Sequence, residues 1–144
     1  MTTMLQLSDL REGMKLPELK KNITQEKINL YAEASKDFNP IHINEAFAKK
    51  TPAGGTIAHG MLNLAYISEM LTTAFGLSWL KGGRLSVRFK APARPGDTIT
   101  VSGKIVRMQK SDVETLVTCD VLCSNQKDEQ IITGEASVKI KANP

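Results

Sequence analysis

The segment from Gly60 to Phe75 constrains the fold more than any other part of this sequence. Leu, Ile, Met, Ala and Phe side chains recur on most sides of a helix drawn through it, and Gly76 supplies a natural C-terminal stop. A helix that is apolar nearly all round is normally buried. A chain of 144 residues must therefore build another layer around this helix.

Strand-like segments that could form this layer follow the helix. Apolar and polar residues alternate from Arg84 to Lys90, a turn covers 92–97, and further strands are expected at 98–108, 114–122 and 130–140. Because short turns join antiparallel neighbours, we expect these four strands to form a meander. The sequence thus predicts an α+β fold, an antiparallel sheet wrapped around a buried central helix, in one domain over 1–144.

The chain before the central helix divides into three parts. A short strand is expected over 15–23, and a helix follows Thr24, which is a suitable N-cap. That helix must end before Pro40. Residues 38–57 are expected to be mostly irregular, with Pro and Gly breakers and one helical turn near 45–50. An irregular stretch of this length in a small domain is often functional.

Composition excludes several classes of protein. The 41% hydrophobic and 24% charged residues are ordinary for a soluble globular protein. Neither a run of about eighteen apolar residues nor a secretion-signal pattern occurs, so we expect a cytoplasmic protein without a membrane partner. The net charge of +4 is dispersed and aromatic residues are 5%, so nucleic-acid binding is not expected. This charge is compatible with a phosphorylated small molecule or an acidic carrier protein, and equally with no specific role.

Cys119 and Cys123 are the only thiols, and both fall in a strand-like segment. Four residues of extended chain span about 13 Å, which is too far for a disulfide. Neither cysteine has the His or Cys partners that a zinc site needs. We expect both to be reduced, and we expect no metal site.

A carboxylate and an imidazole lie five residues apart at Asp37 and His42, with Asn39 and Pro40 between them. Pro40 excludes a continuous helix, so the pair is expected on a turn or bend that can point both side chains into one cleft. At neutral pH an ordinary Asp is ionised and an ordinary His is mostly neutral, which suits general acid and base work on a water. The alternative is that Asp37 caps a turn and His42 forms a local hydrogen bond.

His59 and Gly60 open the central helix. Amides at a helix N-terminus have no intrahelical partner, and the macrodipole favours negative charge there, so the Gly60 N–H could bind a developing oxyanion. Alternatively, Gly60 permits close packing and His59 fixes the turn. Ser68, further along the helix, could face the cleft or bond back to a carbonyl one turn earlier. It lacks the Gly-x-Ser-x-Gly motif of a nucleophile.

Together these residues resemble the MaoC-like branch of the hot-dog fold, which comprises (R)-specific enoyl-CoA hydratases and related 3-hydroxyacyl dehydratases. The segments Tyr31-Ala-Glu-Ala-Ser-Lys-Asp-Phe-Asn-Pro-Ile-His42 and Ala58-His-Gly-Met-Leu62 are similar to the hydratase motif of that family. The segments 83–92 and 95–97 resemble the first strand of the family's meander and the turn after it. The resemblance therefore covers almost the whole chain.

The resemblance implies reversible syn addition of water to a trans-2-enoyl thioester of CoA or acyl carrier protein, as in fatty acid metabolism. It implies that Asp37 and His42 form the catalytic dyad and that the Gly60 amide binds the thioester carbonyl. Asn39 and Ser68 would support the hydrogen bonds of the site, and His59 would set the turn. It also implies a homodimer and no cofactor. Basic residues could then meet the phosphates of the substrate, or could simply be solvated: Arg84, Arg88, Lys90 and Arg94.

Two other functions stay open. Hot-dog proteins of other branches are acyl thioesterases that use an acid on the central helix, for which Glu69 is the only candidate here. A non-catalytic subunit that binds acyl chains or pairs with an active homologue is the second alternative, although such a subunit would be expected to lack the Asp37–His42 pair.

Overall fold

A five-stranded antiparallel sheet packs against one long helix in the computed structural model. The structure describes residues 4–142, so residues 143–144 and residues 1–3, which belong to the segment where no secretion signal is expected, lie outside the described part. A short 3-10 turn at Leu7–Asp9 precedes the main elements. The helices and strands are α1 (Gln25–Ser35), α2 (Pro40–Ile43), α3 (Glu45–Ala48), α4 (Gly60–Phe75), α5 (Leu77–Gly82), β1 (Leu19–Asn22), β2 (Arg84–Phe89), β3 (Thr98–Lys110), β4 (Glu114–Ser124) and β5 (Gln130–Lys141).

Helix α4 has the bounds that the sequence predicts, and Gly76 ends it in a backbone conformation with positive φ. The side that faces the sheet is fully buried, with Ile67, Leu71 and Ala74 all at 0% exposure. Met61, in contrast, is 57% exposed at the start of the helix. A single sheet covers one side of a cylinder about 10 Å across, so the apolar residues on the other side stay accessible in one chain.

The strand order is β1-β3-β4-β5-β2. Strands β3, β4 and β5 form the expected meander, and the antiparallel sheet around the central helix confirms the predicted fold class. The expectation that β2 begins this meander is wrong, because β2 pairs with β5, for example through Val87 and Gly134. The β2–β3 connection cannot form a tight hairpin, since it runs beside the N-terminus of α4, where the Ala58 N–H donates to the Ala93 carbonyl.

Helix α1 begins as predicted, with the Thr24 hydroxyl accepting from the Lys27 N–H, and Lys36 ends it with φ of 63°. Strand β1 is shorter than the predicted segment. The prediction that 38–57 is irregular apart from one turn is wrong at α2. Proline is favoured at the first position of a helix, so Pro40 begins α2 as well as excluding a continuation of α1.

The two cysteines lie in β4, and both are buried and free of disulfides within the described part of the chain. Burial raises the pKa of each thiol to about 12, with Asp120 adding to the effect at Cys119. Both cysteines belong to the hydrophobic core. Among residues 4–142, no helix combines the length and apolar character needed to cross a membrane.

Candidate active site

Asp37 and His42 meet at the turn between α1 and α2. The Asp37 Oδ1 accepts from the Asn39 N–H at 3.2 Å, and the Asn39 side chain caps α2 by accepting from the Ile41 N–H at 3.1 Å. The other carboxylate oxygen of Asp37, Oδ2, then lies 4.0 Å from Nε2 of His42. His42 sits in a short helix and not on the bend that the sequence predicts, but the two side chains do converge.

The hydrogen bonds of His42 define which ring nitrogen carries the proton. Its Nδ1 lies 2.8 Å from the Ile57 carbonyl oxygen, which can only accept, so Nδ1 donates and Nε2 of the neutral ring presents a lone pair. The 4.0 Å separation from Asp37 Oδ2 is too long for a direct hydrogen bond. A water molecule between the two atoms fits this separation.

His59 joins this pair to the N-terminus of α4. Its ring is 2% exposed and stacks on His42, with centroids 3.9 Å apart, while its Nε2 donates to the Asp37 carbonyl oxygen at 3.0 Å. Tyr31 of α1 packs against its other side at 4.9 Å. His59 therefore does more than set a turn, because it fixes the backbone that carries Asp37. Among the described residues its Nδ1 has no hydrogen-bond partner.

Gly60 is the first residue of α4, directly after His59. No side chain caps this N-terminus within residues 4–142; the Leu62 N–H donates to the His59 carbonyl oxygen, and the Gly60 N–H has no hydrogen-bond partner among these residues. Gly60 has no positive φ; what limits a side chain there is the Phe89 ring, whose edge would lie 3.0 Å from an added Cβ. Phe89 is 54% exposed. The helix N-terminus, with its positive dipole end, thus lies beside the Asp37–His42 pair.

Ser68 does not lie with this group. It is eight residues beyond Gly60, about 12 Å along the helix axis, and its Oγ accepts from Nε1 of Trp79 in α5 at 3.1 Å. In the part of the chain that the structure describes, its hydroxyl contacts neither Asp37 nor His42. No contact supports the expectation that Ser68 faces the cleft. Its observed partner, Trp79, lies in α5, a helix that the sequence does not predict.

Asp37, His42 and His59 are the one group among residues 4–142 with the residue types and proximity of a metal site, since one ligand atom from each lies within 4.8 Å of the others. The lone pairs of an imidazole lie in the ring plane. The two rings are stacked with centroids 3.9 Å apart and an angle of 25° between their planes, so their lone pairs lie in two separate, nearly parallel planes, which disfavours their meeting at one ion. The arrangement fits water and proton chemistry better than metal ligation.

Gln25 also reaches the group, and the sequence analysis did not single it out. Its Nε2 donates to the His42 carbonyl oxygen at 2.8 Å. A glutamine in the first turn of an amphipathic helix is ordinary, so the sequence carries no signal for this contact.

A cavity of about 440 Å³ lies at the far end of α4, near Phe75 and Ile140, and the residues described in its wall include none of the candidate site residues.

Comparison with known proteins identifies the family. Residues 11–127 match the family model of the MaoC like domain. An (R)-specific enoyl-CoA hydratase from Rhodospirillum rubrum is 36% identical over 136 residues, which cover 93% of this chain and 90% of that protein. A 3-hydroxybutyryl-CoA dehydratase from Methylorubrum extorquens is 33% identical, over 94% of this chain and 84% of its own length.

Solved structures show the same fold. An unliganded R-hydratase from Pseudomonas aeruginosa matches with a TM-score of 0.78 and 28% identity, covering 95% of this chain and 89% of that one. These likenesses confirm the predicted hot-dog architecture. With a family match over 117 consecutive residues, from 11 to 127, the chain belongs to the MaoC-like domain family.

Proposed function

We propose that this chain is an (R)-specific enoyl-thioester hydratase, which is a hydro-lyase that also catalyses the reverse dehydration of 3-hydroxyacyl thioesters. The observation that carries the proposal is the 4.0 Å separation between Asp37 Oδ2 and His42 Nε2, next to the N-terminus of α4, which no described side chain caps. A water activator and an oxyanion binder lie side by side, which is what the addition of water to an enoyl thioester requires. The activities named for the two relatives are of the same type.

The water would lie between the carboxylate and the imidazole. The Nδ1–H bond to the Ile57 carbonyl leaves Nε2 as an acceptor, so both groups of the pair can take hydrogen bonds from one water. As the water oxygen attacks C3 of the enoyl group, the pair removes its proton. Asp37 is the more accessible of the two, with its side chain 53% exposed against 13% for His42.

The electrons of the double bond move onto the thioester oxygen, which becomes an enolate oxygen. The Gly60 amide would donate to that oxygen, and the dipole of α4 would stabilise its charge. The pair then returns the proton to C2 on the face from which water attacked. One O–H bond and the C2=C3 π bond break, and C3–O and C2–H bonds form. The pair ends in its starting protonation state, so the reaction is a syn addition that needs no cofactor.

The substrate class follows less closely from the geometry. A CoA or carrier-protein thioester would bring phosphates near β2, where Arg84 and Arg88 are exposed. Arg94 is already engaged, because its Nη1 donates to the Ala53 carbonyl. A homodimer in the cytoplasm, with the accessible face of α4 covered by a second subunit, is part of the same proposal.

The thioesterase alternative is disfavoured by the position of its candidate acid. Glu69 is exposed and forms an ion pair with Lys21 of β1 at 2.9 Å. It lies nine residues beyond Gly60, about 13 Å along the helix. Within one chain, an acid at that distance is too far away to act on a thioester whose carbonyl is held at the helix N-terminus.

Incubation with crotonyl-CoA tests the proposal. We expect loss of the enoyl absorbance without release of free thiol, and (R)-3-hydroxybutyryl-CoA as the product on chiral analysis. Thiol release without hydration would establish the thioesterase alternative, and an (S)-product would contradict the stereochemistry. Absence of both reactions over a range of acyl lengths would favour a non-catalytic subunit.

A further inference from the structure

A buried hydroxyl at Thr56 connects three segments around His42. Thr56 is 3% exposed, and its Oγ1 lies 2.7 Å from Oε1 of Gln25 and 3.1 Å from Oε2 of Glu45. The Thr56 N–H also donates to Glu45 Oε2 at 3.2 Å. The side chain thus ties the loop before α4 to α1 through Gln25 and to α3 through Glu45.

The amide orientation of Gln25 is fixed by its partners. Nε2 donates to the His42 carbonyl oxygen at 2.8 Å and to Oδ1 of Asn29 at 2.9 Å. A reversed amide would place its oxygen against the His42 carbonyl oxygen, so Oε1 faces Thr56 and accepts its single hydroxyl proton, while Glu45 Oε2 accepts from the Thr56 N–H. Every polar atom of this side chain is therefore used, and one of its bonds holds the main chain of the proposed catalytic histidine.

Thr56 also precedes the residue that holds the ring of His42. Ile57, the next residue, accepts the Nδ1–H of the imidazole through its carbonyl oxygen, and its own N–H donates to the Ile41 carbonyl at 3.2 Å. The ring of His42 is held from the Thr56–Ile57 segment and its backbone is held from Gln25. The Thr56–Gln25 hydrogen bond joins these two supports into one unit.

We propose that Gln25 and Thr56 are positioning residues that keep the His42 imidazole in the Nδ1–H tautomer with Nε2 directed toward Asp37. Their part in catalysis rests on the proposed hydratase function, whereas their effect on the tautomer does not. Loss of the Thr56 hydroxyl leaves the oxygen of the half-buried Gln25 side chain without its donor, which destabilises the network locally. The imidazole then loses its fixed position relative to the water and the carboxylate.

The test uses Thr56→Val, which keeps the shape and removes the hydroxyl, and Thr56→Ser, which restores it. Thr118→Val in β4 is the matched control, because Thr118 is equally buried, at 2% exposure, and contributes none of the hydrogen bonds described around His42. Nitrogen-15 NMR reads the tautomer of His42, which is tractable because the chain has 2 histidines. Steady-state kinetics with crotonyl-CoA give kcat and KM separately.

We expect wild type to show the Nδ1–H tautomer at His42. Thr56→Val should give a mixture of tautomers and a kcat about 10- to 100-fold lower, with KM little changed, because the imidazole is misplaced and substrate binding is not affected. Thr56→Ser should recover both properties, and Thr118→Val should change neither. If Thr56→Val does not fold, Gln25→Met is measured in its place, with the same expectations for tautomer and kcat.

The inference is overturned if the variant keeps the wild-type tautomer, or if kcat falls equally in Thr118→Val. A changed tautomer with unchanged kcat would remove the catalytic role of the two residues. If the wild-type protein hydrates no enoyl thioester, the proposed function fails, and the NMR measurement still decides whether Gln25 and Thr56 position His42.

Discussion

Gly60→Ala isolates the proposed oxyanion donor from the rest of the site. The backbone at Gly60 is in a region open to alanine, so the change introduces no conformational strain. It adds one methyl group beside the first amide of α4 and leaves Asp37 and His42 in place. The space it enters is bounded by the ring of Phe89.

The structure gives opposite expectations for stability and for activity. Alanine reduces the entropy of the unfolded chain, which favours folding by about 0.4–1 kcal/mol. The new Cβ would lie 3.0 Å from Phe89 Cε1, but the ring is 54% exposed and can shift by a few tenths of an ångström. We therefore expect the free energy of unfolding to change by about 1 kcal/mol or less.

For activity, the methyl group keeps the thioester oxygen from approaching the amide. Loss of one oxyanion donor lowers kcat by about 10²- to 10³-fold, equivalent to roughly 2.7–4 kcal/mol of transition-state stabilisation. Gly82→Ala at the end of α5 is the control, because it adds the same methyl group where nothing lies within 4 Å. Crotonyl-CoA hydration and urea unfolding are measured on both variants. A Gly60→Ala protein with wild-type stability and wild-type kcat would refute the role of this amide.

Three further outcomes are expected. Asp37→Asn should lower kcat by about 10²- to 10⁴-fold, and it should affect the free energy of unfolding little because the side chain is 53% exposed. The control, Asp120→Asn at another exposed position, should leave kcat unchanged. Equal kcat in the two variants would refute the role of Asp37 as a base. Ser68→Ala should lower the free energy of unfolding in urea by about 1–3 kcal/mol, because the buried indole N–H of Trp79 loses its acceptor. Its kcat should stay near the wild-type value. A large fall in kcat at unchanged stability would instead place Ser68 in the active site. Cys119 and Cys123 should react with a thiol reagent at pH 8 only on unfolding, because burial raises the pKa of each from the ordinary 9.0 to about 12. Fast labelling of the native protein would contradict the burial of the two thiols. Because the folded state favours the neutral thiols, the same pKa shift predicts that the free energy of unfolding is highest below pH 9 and falls as the pH rises above it.

Several parts of the fold could be predicted because they depend on neighbours along the chain. The apolar period of α4, the glycine after it and the Thr24 cap of α1 are local, and the structure has both helices where these signals place them. The alternating strand segments were likewise located to within a few residues. These elements could be located because their signals lie within a few residues of one another along the chain.

The sequence by itself thus determined the central helix, most of the strands and, through its resemblance to a family, the residues to examine. Only the tertiary structure decided that β2 pairs with β5 and that Ser68 accepts a hydrogen bond from Trp79. The hydrogen bond between Gln25 and Thr56 near His42 is likewise a tertiary contact. Gln25 and Thr56 are 31 residues apart, and nothing in the chemistry of either residue names the other. Such contacts arise when separately specified elements pack together, so their partners are set by the geometry of packing and not by local sequence.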